Sequence, residues 1–264
     1  MDMNTVYRPK TLPDHALPLL LWGNGACSDN GLMHGAFLRQ IASHGYIIVA
    51  AGHARDESPL RAPKPLTPPG TPAPPPPNID LSKFKPVTTP DQLIAGLDWA
   101  ARETVRPGSP FYGKIDLSRV AVAGHSCGGL QAMAVAADPR IDTVLIFDSG
   151  VFTGPTSMVV GKDALGRIHT PMIYVMGGPT DIAHANALDD YARLGAVPVF
   201  FADYPVGHDG TFWTEPDGGH WAQVAVAWLD WRLKGDAAAS GEFVGHNCGL
   251  CGDHNWTVMK KGID

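Results

Sequence analysis

Six short, unbroken apolar runs constrain the fold of this chain more than any other feature. They occupy residues 17–22 (LPLLLW), 46–51 (YIIVAA), 119–123 (RVAVA), 143–147 (TVLIF), 171–176 (PMIYVM) and 197–202 (VPVFFA), and each ends close to a Gly, Asp or His. Runs of this length without polar alternation suit strands buried on both faces of a parallel sheet. Between them lie helix-compatible segments at 32–43, 91–103, 127–137, 183–194 and 218–233. Thr89-Pro90-Asp91 supplies a cap and a first-turn proline for one of them. Strand and helix alternate, so the expectation is an α/β fold of right-handed βαβ units, with a mostly parallel central sheet sandwiched by helices. Residues 4–8 add an antiparallel edge strand. No internal repeat is present, and the 264 residues are read as a single domain, 1–264.

The chain is 44% hydrophobic and only 17% charged, so it can fill a large core. Its net charge is −6 and its basic residues are scattered, which argues against a nucleic acid or an anionic membrane as partner. No run reaches the ~18 apolar residues of a membrane span. The polar stretch 1–10 has no secretory signal core, so export would require a signal already removed, and otherwise the expectation is cytoplasmic. Ten of the 24 prolines fall within residues 59–77. Proline lacks an amide donor and fixes φ, so this segment is expected to run as a polyproline-II surface loop. Its PxxP patterns also match SH3-type ligands, but its place just after a strand end favours a stiff insertion at the mouth of a site.

The chemistry centres on Gly124-His125-Ser126-Cys127-Gly128, set between an apolar run and an alanine-rich helix. That context separates a nucleophile elbow of the G-x-S-x-G type from a chance match. Glycines on both sides allow a strained serine and a close backbone approach. The bland reading is a glycine-rich turn that packs or holds an anion. In the elbow reading Ser126 is the nucleophile, and the acid and base follow in chain order. Asp181 lies in the loop after PMIYVM, and His208 lies in the loop after VPVFFA, at strand C-terminal ends where α/β folds gather ligands. Asp148, after TVLIF, is the rival acid and His220 the rival base. Asp189 and Asp190 read as solvent-facing helix charges, and His34, His44, His125 and His184 as structural residues.

A tetrahedral intermediate needs two amide donors. One is the amide of Cys127; the other comes from the loop Gly23-Asn24-Gly25-Ala26-Cys27-Ser28. Asn24 and Gly25 on that loop, with Phe212 and Trp213 beside His208, are the candidate substrate-binding residues.

The GHSCGG elbow, the GNGACSDNG loop followed by FLRQIASHGYIIVAAGH, the GGPTDIA loop, and VGHDGTF followed by AVAWLDWRLKGD resemble α/β-hydrolase esterases of the dienelactone-hydrolase, chlorophyllase and cutinase-like polyester-hydrolase branch over residues 4–235. The resemblance implies the α/β-hydrolase fold and ester cleavage through an acyl-enzyme. Counting back without gaps from Ala42-Ser43-His44-Gly45 places Cys27 where cutinase-like members carry an aromatic oxyanion residue, a departure that weakens the polyester reading. Cys27 and Cys127 then either form a disulfide across the oxyanion site or remain two small buried thiols. In the tail, residues 236–264, Cys248 and Cys251 suit a local disulfide or a packed apolar segment better than a metal site. No Rossmann or P-loop glycine pattern occurs, so no cofactor is expected. The sequence thus reads as a cofactor-independent serine ester hydrolase acting on a small or polymeric ester. An acyltransferase or thioesterase with the same triad is the alternative, and a non-catalytic member of the fold a more distant one.

Overall fold

A computed structural model describes residues 3–73, 84–153 and 159–264. An eight-stranded sheet runs through it in the order β1-β3-β2-β4-β5-β6-β7-β8. Strands β2 (Leu17–Gly23), β3 (Ile47–Ala51), β4 (Ile115–His125), β5 (Thr143–Phe147), β6 (Met172–Met176) and β7 (Val199–Asp203) pair in parallel. The edge strands β1 (Asn4–Tyr7) and β8 (Thr257–Lys261) pair antiparallel to β3 and β7. The α/β architecture with a mostly parallel sheet therefore stands.

Alternate side chains of each inner strand enter opposite core layers, as the two-residue strand period requires. Leu20 and Trp22 join Phe37, Phe147, Trp221 and Trp228 on the face covered by α1 (Gly35–Ser43) and α5 (Gly219–Lys234). Leu19 and Leu21 join Leu97, Met133 and Phe201 on the opposite face. That face carries α2 (Pro90–Val105), α3 (Cys127–Val135) and α4 (His184–Arg193). Thr89 and Gln92 form the capping box that starts α2.

Three features depart from the sequence expectation. Strand β4 begins at Ile115, four residues before its apolar run, because its polar start pairs with Leu17 and Pro18 ahead of a register shift. The tail carries two short helical turns, Ala237–Ser240 and Gly249–Gly252, and then strand β8, which the sequence did not announce, while Cys248 and Cys251 form the local disulfide that was among its expected readings. Asp190 is fully buried, contrary to its reading as a solvent-facing charge. Lys162 reaches its Oδ1 at 2.6 Å, the Val151 amide donates to its Oδ2, and burial lifts its carboxyl to about 6.

Residues 59–73 of the proline-rich segment form no helix or strand; residues 74–77 lie outside the described residues. The segment is pinned across two loops. The Arg61 amide donates to the Trp213 carbonyl, the Thr67 amide donates to the Pro205 carbonyl at 2.7 Å, and Thr67 Oγ1 meets Thr180 Oγ1 at 3.3 Å. Arg61 and Lys64 both pair with Asp209, at 3.3 and 3.1 Å.

Candidate active site

Ser126 is the single residue between β4 and α3, and it holds φ 53°, ψ −120°. A non-glycine residue there is strained by ~1–3 kcal/mol, which the surrounding packing must offset. The packing is tight: a Cβ on Gly124 would lie 2.2 Å from the Gly128 carbonyl oxygen, and one on Gly128 would lie 2.0 Å from that of Gly23. Only glycine permits this approach, which seats the N-terminus of α3 directly over the end of β2.

The loops after β6 and β7 bring Asp181 and His208 to Ser126. The Ser126 hydroxyl donates to His208 Nε2 at 2.9 Å, and His208 Nδ1–H donates to Asp181 Oδ1 at 2.6 Å. The Asp181 side chain is fully buried. Burial alone would raise its carboxyl, but the hydrogen bond and charge of His208 and the Ala183 amide at 2.9 Å outweigh burial and lower it. This order of contacts can take a proton from Ser126 Oγ onto a ring whose tautomer Asp181 fixes.

Asp148, the rival acid, does not reach the His208 ring nitrogens. It is fully buried at φ 44°, and its Oδ2 accepts from Trp221 Nε1 at 3.0 Å. Burial, with the neighbouring Asp181 charge added, pushes its carboxyl well above the usual range. His220, the rival base, instead pairs with Glu215 at 2.7 Å and stacks on Tyr204. His184 pairs with Asp203 at 2.8 Å. His125 lies under His208 with its Nε2 3.0 Å from the His208 carbonyl oxygen; that acceptor requires Nε2–H, so Nδ1 accepts from His34 Nε2–H at 3.3 Å. Burial, assisted by His208, lowers His125 to about 4, so this support is neutral near pH 7.

Ser126 and His208 open on a cleft of about 370 Å³, lined also by Gly25, Ala26, Cys127, Phe152, Ile182 and Trp213. The turn Gly25–Cys27 is a 3-10 helix in which Ala26 and Cys27 have φ of 54° and 46°. Here one sequence expectation fails. The Cys27 amide donates back to the Asn24 carbonyl at 3.2 Å and its side chain is fully buried. The Ala26 amide, by contrast, meets no backbone acceptor among the described residues, and Ala26 borders the cleft. In this turn the unengaged amide is therefore that of Ala26, one residue before Cys27, because the 3-10 bond to Asn24 occupies the Cys27 amide. The Cys127 amide is likewise without an intrachain acceptor at the start of α3.

Two further candidates are structural. Asn24 is fully buried, accepting from Trp22 Nε1 at 3.0 Å and donating to the Ala51 carbonyl, so it shapes the loop rather than touching the cleft. Phe212 packs in the core against His34, Phe37 and Phe147 and does not line the cleft. Gly25 and Trp213 do line it, with Trp213 held by a 2.8 Å hydrogen bond from its Nε1 to the Met33 carbonyl. Ile182 and Arg61 also border the cleft and were not anticipated. Ile182 carried a signal, an apolar residue directly after the acid in a loop.

Cys27 and Cys127 are joined by a disulfide with Cα atoms 5.2 Å apart, which resolves the choice between bond and free thiols. No family model and no curated protein matches the chain. No helix among the described residues is long and apolar enough to cross a membrane.

Proposed function

We propose that this protein is a serine carboxylic-ester hydrolase with the α/β-hydrolase fold. The observation that carries the reading is the unbroken run of contacts from Ser126 Oγ through His208 to Asp181, with Ser126 held in a strained conformation at a helix N-terminus and facing an apolar cleft. Ser126 attacks the ester carbonyl as His208 accepts its proton, and the amides of Cys127 and Ala26 receive the oxyanion. His208 then protonates the departing alkoxide, leaving an acyl-enzyme. Water attacks the acyl group with His208 again as base, and collapse returns the proton to Ser126. Gly25, Ile182, Phe152 and Trp213 wall the acyl or alcohol group. Alanine at position 26 offers no aromatic clamp, which suits small esters better than an aryl polyester.

The test is Ser126→Ala with p-nitrophenyl acetate. Turnover is expected to fall by at least ~10³-fold, together with loss of fluorophosphonate labelling. Near-normal turnover in the variant would refute the reading.

A further inference from the structure

We propose that the Cys27–Cys127 disulfide positions the two oxyanion donors, so that ester hydrolysis depends on its oxidation state. The proposal rests on the ester-hydrolase reading and adds a condition to it.

The bond joins the two loops that must converge on one oxygen. Cys127 carries one donor amide itself, and Cys27 directly follows Ala26, which carries the other. The bond holds the Cα atoms of Cys27 and Cys127 5.2 Å apart and so ties the turn that carries the Ala26 amide to the start of α3. The α3 side is held by the glycine contacts and by hydrogen bonds into its first turn. The Gly25–Cys27 side is less secure, because Ala26 and Cys27 both occupy the left-handed region that disfavours side chains. Its other anchors are the Cys27 carbonyl, which accepts from the amides of Val87 and Thr88 at 3.2 and 2.9 Å, and the buried Asn24 side chain. These anchors hold positions 24 and 27, and the Ser28 amide, donating to the Gly25 carbonyl at 3.1 Å, sets the plane of the peptide that carries the Ala26 N–H; that bond lies inside the turn and lasts only while Ala26 and Cys27 keep their left-handed φ. With the disulfide cut, Ala26 and Cys27 can relax toward ordinary φ values, and that turns the Ala26 N–H away from the cleft.

The route to the bond lies through the cleft: Cys27 is fully buried, and Cys127, 3% exposed, borders the cleft. A small thiolate entering the cleft attacks Cys127 Sγ, forming a mixed disulfide and expelling the Cys27 thiolate, which takes up a proton. A second thiol attacks the mixed disulfide at the small-molecule sulfur, and Cys127 leaves as a thiolate that is protonated in turn. The protein disulfide and two thiols thus become two cysteine thiols and one small-molecule disulfide. Since this route runs through the cleft, a ligand bound there shields the bond. The second disulfide, Cys248–Cys251, lies in the tail and has no part in this.

The experiment titrates full-length protein with dithiothreitol and follows kcat, KM, free thiols and circular dichroism together, using p-nitrophenyl acetate. Four proteins are compared: wild type, Cys27→Ala/Cys127→Ala, Cys248→Ala/Cys251→Ala and Ser126→Ala. Expected are a kcat loss of ~10- to 10³-fold on reduction of wild type, KM changed by less than about threefold, and an unchanged dichroism spectrum. The Cys27→Ala/Cys127→Ala protein should show the same low kcat without thiol and no further response to it. The Cys248→Ala/Cys251→Ala protein should respond as wild type does, and an alkyl boronic acid bound at Ser126 should slow the reduction. A reduced, folded wild type with kcat within threefold of the oxidised form overturns the proposal. So does activity lost only together with the dichroism signal, since the bond would then staple the fold rather than the site. If oxidised wild type shows no activity above Ser126→Ala, the ester-hydrolase reading itself has failed.

Discussion

Asp148→Asn separates the two carboxyl groups that lie side by side behind His208. Burial and the adjacent Asp181 charge push the Asp148 carboxyl well above its ordinary range, so the folded protein keeps this proton at pH values where the unfolded chain has released it. The unfolded state then binds fewer protons, and stability falls as pH rises from the ordinary carboxyl value toward the folded one, by about 1.4 kcal/mol per pH unit. Asparagine has no proton to lose, so it lacks this pH dependence. Asp181 has the opposite sign: its lowered carboxyl contributes stability above its ordinary value that is lost on acidification. This contribution is common to both proteins and largely cancels between them. Urea unfolding at pH 5 and pH 6 should therefore show the stability of Asp148→Asn, relative to wild type, rising with pH, by at most about 1.4 kcal/mol. A difference that does not change with pH would mean that Asp148 is ionised in the folded protein and that its burial has been misjudged. The same variants decide which acid serves His208. Asp181→Asn should lower kcat by ~10⁴, because the amide favours the wrong histidine tautomer, whereas Asp148→Asn should cost less than about tenfold. A reversed order would make Asp148 the triad acid.

Lys162→Met should destabilise the protein by about 3–5 kcal/mol at pH 7, because it leaves the buried Asp190 without its cation. Asp190 already sits near 6, so the loss should shrink at pH 5, where the carboxyl is protonated, and urea unfolding at the two pH values reads this directly; an equal loss at both would show that Asp190 does not titrate there. Gly128→Ala would drive a Cβ to 2.0 Å from the Gly23 carbonyl oxygen, and should cost ~1–3 kcal/mol in stability while lowering kcat more than KM changes. A variant with wild-type kinetics would show that α3 need not sit this close to β2. Replacing residues 59–77 with a short Gly/Ser linker should change the kcat/KM ratio of short- to long-chain acyl esters at least ~3-fold with the dichroism spectrum retained, since Arg61 of this segment borders the cleft. An unfolded protein would show instead that the pins to Trp213, Pro205 and Asp209 hold the fold.

What was legible in the sequence was whatever a run of identical environments writes into it. The six inner strands are buried on both faces, so their apolar runs are unbroken and their positions follow directly. Strand β8 is half exposed along its length and reads TVMKK, a pattern that a polar tail would also show. The start of β4 is hidden for the same reason. Asp190 was misread because helix carboxylates are usually solvated; its partner Lys162 is 28 residues away, and nothing local signals the pairing. Phe212 and Asn24 are next to the cleft-lining Trp213 and Gly25 in sequence but turn into the core, which adjacency cannot reveal.

The Ser126, His208, Asp181 array and the proposed second oxyanion donor differ in what places them. Ser126, Asp181 and His208 each follow a strand of one parallel sheet, β4, β6 and β7, so the topology alone delivers all three to the same edge. Counting strands is then enough to choose them. The donor proposed at Ala26 depends on which amide of a five-residue turn is left without an acceptor. That is decided by the 3-10 bond from Cys27 to Asn24 and by the positive φ values it imposes, not by residue type. Alanine carries no chemistry that a motif could register. Cys27 draws the assignment because its side chain is distinctive, and that side chain instead forms the bond that ties the turn to the residue after Ser126. What singles out position 26 is thus an amide left unengaged by the turn, a property of the backbone that only the fold reveals.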